Sequence, residues 1–560
     1  MDTQPLDALP EATREIPVEK ASRGVGLSSG IIFFIAIVIQ LIGYFASYVF
    51  ANTLGLDQPG GDIARGRELL GFIGFSLLIA SSINGIADLR IGSAYTFFIA
   101  RGKSPFEQTA TYLLLRLILV GTASLLVWLF VTPTIHGTGP LAVDGQVYAT
   151  FAIFLVLPLL WSVSTVYTQL KIAQGESIRS QYPILLESVV RTGTLLFVAT
   201  HHPTVWTLTF AYFPGALVST LYCLPAVRGY FTRFSWKETV GMFKFSWPLM
   251  GGLILSYTAG NAMPFLVETQ SPDHLNAFYI FAAANGFRIL ALAVPTAVIV
   301  PLFPSLTSLH ARGMLNAIRS QGWHALRFTA MAVVPAAMYL VVYRVPVLHV
   351  LYNGTVASGG GGALAMLAIS SIPFALTMVI GTILNSIRLQ RLELFLTAAQ
   401  VVVMFGVAAL LLPPLALAAS FGVSPLLGAS IAILASALAA LAVNTYFLER
   451  HLGVRIPVRP ILAITFSAAV GFFAVSRFNV LVNVSRWYQL LPGILLGFTV
   501  YAFVLAAVGE LSQSDVRQLC GMAKIPSRIS NPLSRLCWRK ENPYSPDVPP
   551  PAIPPPPPAA

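Results

Sequence analysis

Apolar runs of about twenty residues recur along nearly the whole chain, from near Ser28 to Gly509. An α-helix of roughly that length spans about 30 Å of hydrocarbon, and hydrocarbon offers no partner for a free backbone N–H or C=O. A chain built this way must fold as helices that satisfy their own backbone, or as a closed barrel. Barrel strands alternate apolar and polar residues, and these runs do not. Only 10% of the residues are charged and the mean hydropathy is +0.75, whereas a soluble domain carries about 25% charge. The expectation is an all-α polytopic membrane protein with about fourteen transmembrane helices. They are placed at 30–54, 69–87, 109–132, 148–170, 182–201, 204–226, 245–267, 276–303, 327–345, 363–387, 393–414, 425–448, 460–477 and 488–509.

Most of the 34 Lys and Arg residues fall in every second loop. Arg101 and Lys103, Lys171 and Arg179, Arg228 to Lys244, Arg312 to Arg327, Arg388 and Arg391, and Arg450 to Arg459 all lie on one side of the alternation. The bias of basic residues toward the cytoplasm predicts a multi-pass protein of the cell (inner) membrane with both termini inside. The first apolar run is long enough to span and reads as an uncleaved anchor rather than a leader. The expected organisation is a cytoplasmic segment 1–27, a first lobe 28–226, a linker 227–244, a second lobe 245–448, two further spans 449–509, and a tail 510–560 that is basic and then Pro-rich. That tail favours an extended polyproline helix. A faint repeat supports two halves. Span two ends in Phe98-Ile99-Ala100-Arg101-Gly102-Lys103 and span eight in Ser308-Leu309-His310-Ala311-Arg312-Gly313.

The net charge of +12 comes from these short loops, not from a basic surface with stacking aromatics, which argues against nucleic acid as a partner. Catalytic patterns are poor. Gly26-Leu27-Ser28-Ser29-Gly30 has the letters of a hydrolase elbow but opens a membrane helix, whereas that motif needs a strand before it. The run Gly359 to Gly362 lacks a following Lys and Ser or Thr and falls in an expected outward loop. Cys223, Cys520 and Cys537 have no metal or redox spacing. The chain is not expected to be an enzyme or to need a cofactor or metal.

Ionisable residues inside spans carry more information, because each costs roughly 2.5–3.5 kcal/mol at a helix centre and must face a cavity or a partner. Arg288 lies about twelve residues into span eight, near the midplane at ~1.5 Å per residue. Glu187 and Arg191 are four apart on one face of span five and either neutralise each other or line a cavity. Arg116 is near the inner end of span three, where snorkelling to the surface or substrate contact would explain it. These four are the candidate substrate-binding residues. Pro158, Pro214, Pro248, Pro264, Pro295, Pro301, Pro335 and Pro373 punctuate the spans as bends or breaks. Gly428, Ala432, Ser436 and Ala440 form a small-residue stripe for close helix contact.

The stretch from Trp236 to Arg312 resembles the start of the second half of a lipid-linked oligosaccharide flippase. The resemblance is carried by Phe243-Lys244-Phe245-Ser246-Trp247-Pro248-Leu249, by Tyr279-Ile280-Phe281-Ala282-Ala283-Ala284, and by Pro301-Leu302-Phe303-Pro304-Ser305-Leu306. Pro335 and Val347-Leu348-His349-Val350-Leu351-Tyr352-Asn353-Gly354 extend it. The pattern is similar to the MOP superfamily, which includes O-antigen flippases of the Wzx type, lipid II flippases of the MurJ type and MATE drug exporters. The resemblance implies two six-helix lobes in a V plus two C-terminal helices. It implies alternating access and a polyprenyl-(pyro)phosphate-linked oligosaccharide as substrate, moved to the outer leaflet for cell-surface polysaccharide biosynthesis. It further implies the lipid bilayer and glycan-assembly membrane enzymes as partners. Arg288 falls where lipid II flippases carry a cavity arginine. Phe287 stands where they have an aspartate, and span one holds Gln40 and Asn52 but no arginine, which favours another glycan carrier. The alternatives are a lipid II flippase, a MATE-like cation-coupled drug antiporter, which would want acidic cavity residues, and a membrane glycosyltransferase or glycan polymerase, which would want a large outward loop.

Overall fold

The computed structural model describes residues 29–43, 77, 80–135, 152–201, 204–230, 234–271, 274–351, 354–412, 424–454, 457–482, 487–511 and 513. Among them the regular structure is helical, with no strand. Eleven helices are long and apolar enough to cross a membrane. The parts of spans one and two at 44–54, 69–76 and 78–79, the break at Pro413-Pro414 and the Pro-rich tail lie outside the described residues. What remains of span one is α1, Ser29–Gly43.

A first group of helices comprises α2 (Ile91–Ala100), α3 (Pro105–Ile135), α4 (Leu157–Ala173), α5 (Tyr182–His201), α6 (Val205–Phe210) and α7 (Phe213–Arg228). Within it α4 packs against α2, α3 and α7, and α7 packs against α5. The turn between spans five and six is real: Thr204 caps α6 by accepting from Thr207 N–H, and Thr207 caps it reciprocally. Pro158 sits in the first turn of α4 and Pro214 in that of α7. Each follows an interruption within its span, at 155–156 and at 211–212, and opens the helix that resumes there, since the missing N–H is one of the free donors of a first turn.

The second group comprises α8 (Trp236–Gln270), α9 (His274–Ala311), α10 (Leu315–Val342), α11 (Arg344–Leu351), α12 (Gly354–Ser386), α13 (Gln390–Leu411) and α14 (Pro425–Leu452). The central member is α12, which packs against α9, α10, α11 and α14. Gly359 to Gly362 lie inside this helix, not in an outward loop as the sequence suggested. Packing is the reason. A Cβ on Gly360 would stand 3.0 Å from Ile280 and 3.2 Å from Leu348, and one on Gly361 would stand 3.0 Å from Val345. Each glycine costs a helix up to ~1 kcal/mol relative to Ala, and close approach of α9 and α11 offsets that cost. The stripe on α14 behaves as expected: Ala432, Ser436 and Ala440 are buried, and α14 packs on α12. Pro248, Pro264, Pro295, Pro301, Pro335 and Pro373 lie inside helices.

The last two helices, α15 (Val458–Val482) and α16 (Trp487–Ala507), pair with each other and with α10. Large apolar side chains such as Val402, Leu462, Leu495 and Phe503 are exposed, as lipid-facing residues are. Two boundaries differ from expectation. Arg327, counted among the loop cations, is buried within α10. Its Nε lies 3.7 Å from Glu510 Oε2, and its guanidinium also donates to the Glu510 carbonyl. Glu510, placed in the tail, is thus part of the packed structure.

Several helices end alike at the basic end of the molecule. In α2, α4, α9 and α16 the penultimate turn closes with paired backbone bonds around a left-handed glycine: Gly102 (φ +93°), Gly175 (φ +79°), Gly313 (φ +72°) and Gly509 (φ +79°). This is the Schellman arrangement, which glycine suits because it has no Cβ. Arg101-Gly102 and Arg312-Gly313, the faint repeat of the sequence, are two of these ends.

Two measurements check this arrangement. A reporter fused after Gly229 should read cytoplasmic and one fused after Pro140 external; the same side for both would overturn the inside–outside alternation. Truncation after Asn542 should leave the folded yield unchanged. Glu510→Ala should lower it, because an uncompensated buried charge costs ~3–5 kcal/mol; size-exclusion profiles of the detergent-extracted protein report both.

Candidate functional site

The four charged residues singled out from the sequence occupy three separate places. Arg116, on α3, is 1% exposed. It does not snorkel. It forms an ion pair with Asp88 and donates to Asn84 Oδ1 at 2.5 Å and to Thr165 Oγ1 at 3.3 Å. Tyr112, one turn earlier, donates its hydroxyl to the same Asp88 carboxylate at 2.6 Å. Asp88 lies in the turn before α2, where Leu89 and Arg90 both have positive φ. Four segments, at Asn84, at Asp88, on α3 and on α4, therefore meet around this ion pair. Sequence reasoning missed Asp88, although Tyr112 and Arg116 are four apart on one helix face and so point at a common partner.

Glu187 and Arg191 pair along α5, with Arg191 Nη1 3.3 Å from Glu187 Oε1. Trp161 on α4 donates its indole N–H to the same oxygen at 3.0 Å. Gly215 of α7 fits against this turn so closely that a Cβ there would lie 2.8 Å from the Glu187 carbonyl and from Arg191 Cβ. The pair is thus wedged between α4, α5 and α7.

Arg288, on α9, differs from both. Among the described residues its one hydrogen bond is to Asn285 Oδ1 at 3.3 Å, one turn back, and its guanidinium lies over the Phe374 ring of α12 at 4.9 Å. Its Nε is buried without an acceptor among the described residues. Among the described residues no carboxylate lies within ion-pair distance; Glu187 is committed to Arg191 instead. Asn285 precedes Arg288 by three residues, a spacing legible in the sequence, whereas Phe374 is brought in by the packing of α12 on α9. Among the described residues no group of three His, Cys, Asp or Glu side chains could hold a metal ion.

Long apolar helices in two groups, with charged residues buried within each, define a polytopic membrane protein. Solved structures share its fold. An outward-facing multidrug resistance MATE family transporter of the MOP superfamily is 14% identical, with a TM-score of 0.64, covering 79% of this chain and 99% of that one. A MOP superfamily transporter from Pyrococcus furiosus is also 14% identical, with a TM-score of 0.63, covering 77% and 96%. The Vibrio cholerae MATE transporter VcmN in its bent form is 15% identical, with a TM-score of 0.59, covering 77% and 98%. At such identities the likeness speaks for the fold. No curated protein matches the chain. The model of the polysaccharide biosynthesis protein family matches residues 70–356, and the chain belongs to that family.

The Asp88–Arg116 contact carries a prediction. Arg116→Ala strands Asp88 and should reduce the folded yield severalfold. Asp88→Asn combined with Arg116→Gln should recover most of it, because removing both charges of a buried pair is far cheaper than removing one. Fluorescence-detected size exclusion compares the three; an unchanged yield in Arg116→Ala would show that the pair is dispensable for folding.

Proposed function

We propose that the protein is a flippase that carries a polyprenyl-(pyro)phosphate-linked oligosaccharide from the cytoplasmic to the outer leaflet. The head of such a substrate is an anion joined to a polar glycan, and its tail is a long apolar chain. A pathway for it needs a fixed cation that is not already neutralised, inside a protein whose outer surface tolerates lipid. Arg288 supports this reading. It sits within a membrane-spanning helix with an aromatic face on one side, an amide on the other, and no carboxylate counter-ion among the described residues. A phosphate there would receive charge-assisted hydrogen bonds, bidentate where the guanidinium fork allows. Membership of the polysaccharide biosynthesis family supports a glycan-linked substrate.

In this reading the lobes 28–226 and 245–448 rock about the linker 227–244, and the termini lie in the cytoplasm of a cell whose inner membrane holds the protein. Arg288 meets the headgroup, while Arg116, Glu187 and Arg191 shape the first lobe. Glycan-assembly membrane enzymes supply the substrate. A MATE-like drug antiporter gains no support from Glu187, the deep acidic candidate, because it is paired.

Flipping of a fluorescent polyprenyl-linked glycan in reconstituted vesicles, normalised to folded protein, tests the headgroup role. Arg288→Lys should keep part of the activity and Arg288→Ala should lose nearly all of it, with normal abundance in both. Full activity per folded molecule in Arg288→Ala would sink the reading.

A further inference from the structure

Five helices end in the same paired backbone bonds, and four of them use glycine at the left-handed position. The fifth is α12. There Leu389 N–H reaches the Leu384 carbonyl at 3.0 Å, and the left-handed residue is Arg388, at φ +70°. A non-glycine residue in this conformation costs of order 1–3 kcal/mol and persists where the surroundings require that side chain. Glycine would serve the backbone better, as its four counterparts show. The arginine side chain is therefore what the position retains.

That side chain reaches across to α2. The guanidinium of Arg388 lies 5.6 Å from the centroid of the buried Phe97 ring, and that of Arg101 lies 4.7 Å from the same centroid. Phe97 in turn packs on Phe245 of α8 at 4.4 Å, and Ser246 donates to the Arg90 carbonyl at 3.1 Å. The two arginines thus meet where the first group of helices closes on the second. His310 lies in the last turn of α9, where burial first, and then the charges of Arg101 and Arg388, lower its pKa from the ordinary imidazole value. Burial and the neighbouring Arg388 charge together lower the Arg101 pKa from its ordinary value.

Like charges brought together ordinarily carry a carboxylate between them. Here, among the described residues, none is within ion-pair distance of either arginine. Glu238 pairs with Lys103 at 2.7 Å, and Glu393 faces Arg90 and Asn385. Arg101 Nε and His310 Nδ1 are buried without hydrogen-bond partners among the described residues. Cations converge, none of them is bonded to a carboxylate among the described residues although the buried acceptors Asn385 Oδ1 and Glu393 Oε2 lie on the same helix end and the next, and a strained backbone holds one of the cations in place.

We propose that Arg101, Arg388 and His310 form a phosphate-binding site at the basic end of the seam between the two helix groups. The ligand class is a phosphate mono- or diester, or a pyrophosphate, either on a lipid headgroup or free of the bilayer. Such an anion replaces the missing counter-charge and ties α2 to α9 and α12. The site is distinct from Arg288, which lies over twenty residues away along α9, and it stands whether or not the protein moves a glycan.

The test uses the full-length protein and inorganic pyrophosphate as probe. In zwitterionic detergent, pyrophosphate should raise the melting temperature of the wild type by about 3 °C or more. Arg388→Gly should match or exceed the wild-type melting temperature without anion, since it relieves both the backbone and the repulsion, and should lose the rise. Arg101→Gln should weaken the apparent pyrophosphate affinity at least tenfold. Arg450→Gln, an exposed cation at the same end, should not. In nanodiscs, adding phosphatidic acid to phosphatidylcholine should raise the wild-type melting temperature if the anion is a lipid headgroup. A response to pyrophosphate without one to phosphatidic acid assigns a phosphate outside the bilayer lipids. No response to either, or a response kept in Arg388→Gly, overturns the site. A response lost in Arg288→Ala but kept in Arg388→Gly would move the anion to α9 and also overturn it. A flipping defect in Arg288→Ala bears only on the transport reading.

Discussion

Close approach to α12 sets the position of most of the second helix group. In a bilayer, lipid tails are as apolar as leucine, so helices gain by fitting together rather than by leaving water. Residues such as Gly360, Gly361, Ala363 and Ala368 let α9, α10, α11 and α14 come within backbone distance of one helix. Arg288 on α9 and Phe374 on α12 face each other only because these axes lie so close. The C-terminal end of α12 delivers Arg388 to the first group for the same reason.

Arginines at helix contacts are handled in two ways. Arg116 and Arg327 are each 1% exposed and each has a carboxylate, Asp88 and Glu510 respectively. In both cases the pair ties remote segments together: a turn before α2 to α3, and the end of α16 to α10. Arg288, Arg101 and the exposed Arg388 each lie over an aromatic ring, Arg288 with an amide beside it, and none has an acid within ion-pair distance among the described residues. Cation–π contact recovers part of the lost hydration, and it leaves the charge available to an anion. Paired arginines hold the architecture, and arginines set against rings remain electrostatically unsatisfied.

The transmembrane helices were legible because hydropathy is a strong, local signal. Their lengths were not. Helices α8 and α9 run beyond the apolar spans 245–267 and 276–303 to Trp236–Gln270 and His274–Ala311, since backbone hydrogen bonding continues into the polar zone after hydropathy has fallen. The glycine run misled because glycine marks both loops and tight helix contacts, and only the neighbours Ile280 and Val345 decide between them. Arg288 could be singled out by depth alone, and the Glu187–Arg191 pair by spacing. The Asp88–Arg116 pair joins residues twenty-eight positions apart across a turn with two left-handed residues, and no periodicity announces that. The repeated Arg-Gly ends were visible as letters. That α12 keeps the arginine and drops the glycine became meaningful once the backbone at Arg388 was seen to be left-handed.

Between Arg288 and the seam, α9 carries Pro295, Pro301 and Pro304. Each proline deprives the carbonyl four residues earlier of its donor, so Ala291, Ala297 and Val300 lose their helical partners within less than three turns. Bending stiffness along α9 is therefore lowest in this stretch, while the segments on either side keep full backbone ladders. Force applied at one end is absorbed as curvature in the middle instead of being transmitted as rigid tilt. The charge in the membrane and the closure at the basic end are joined by a compliant coupling, and each can change its angle without dragging the other through the same arc.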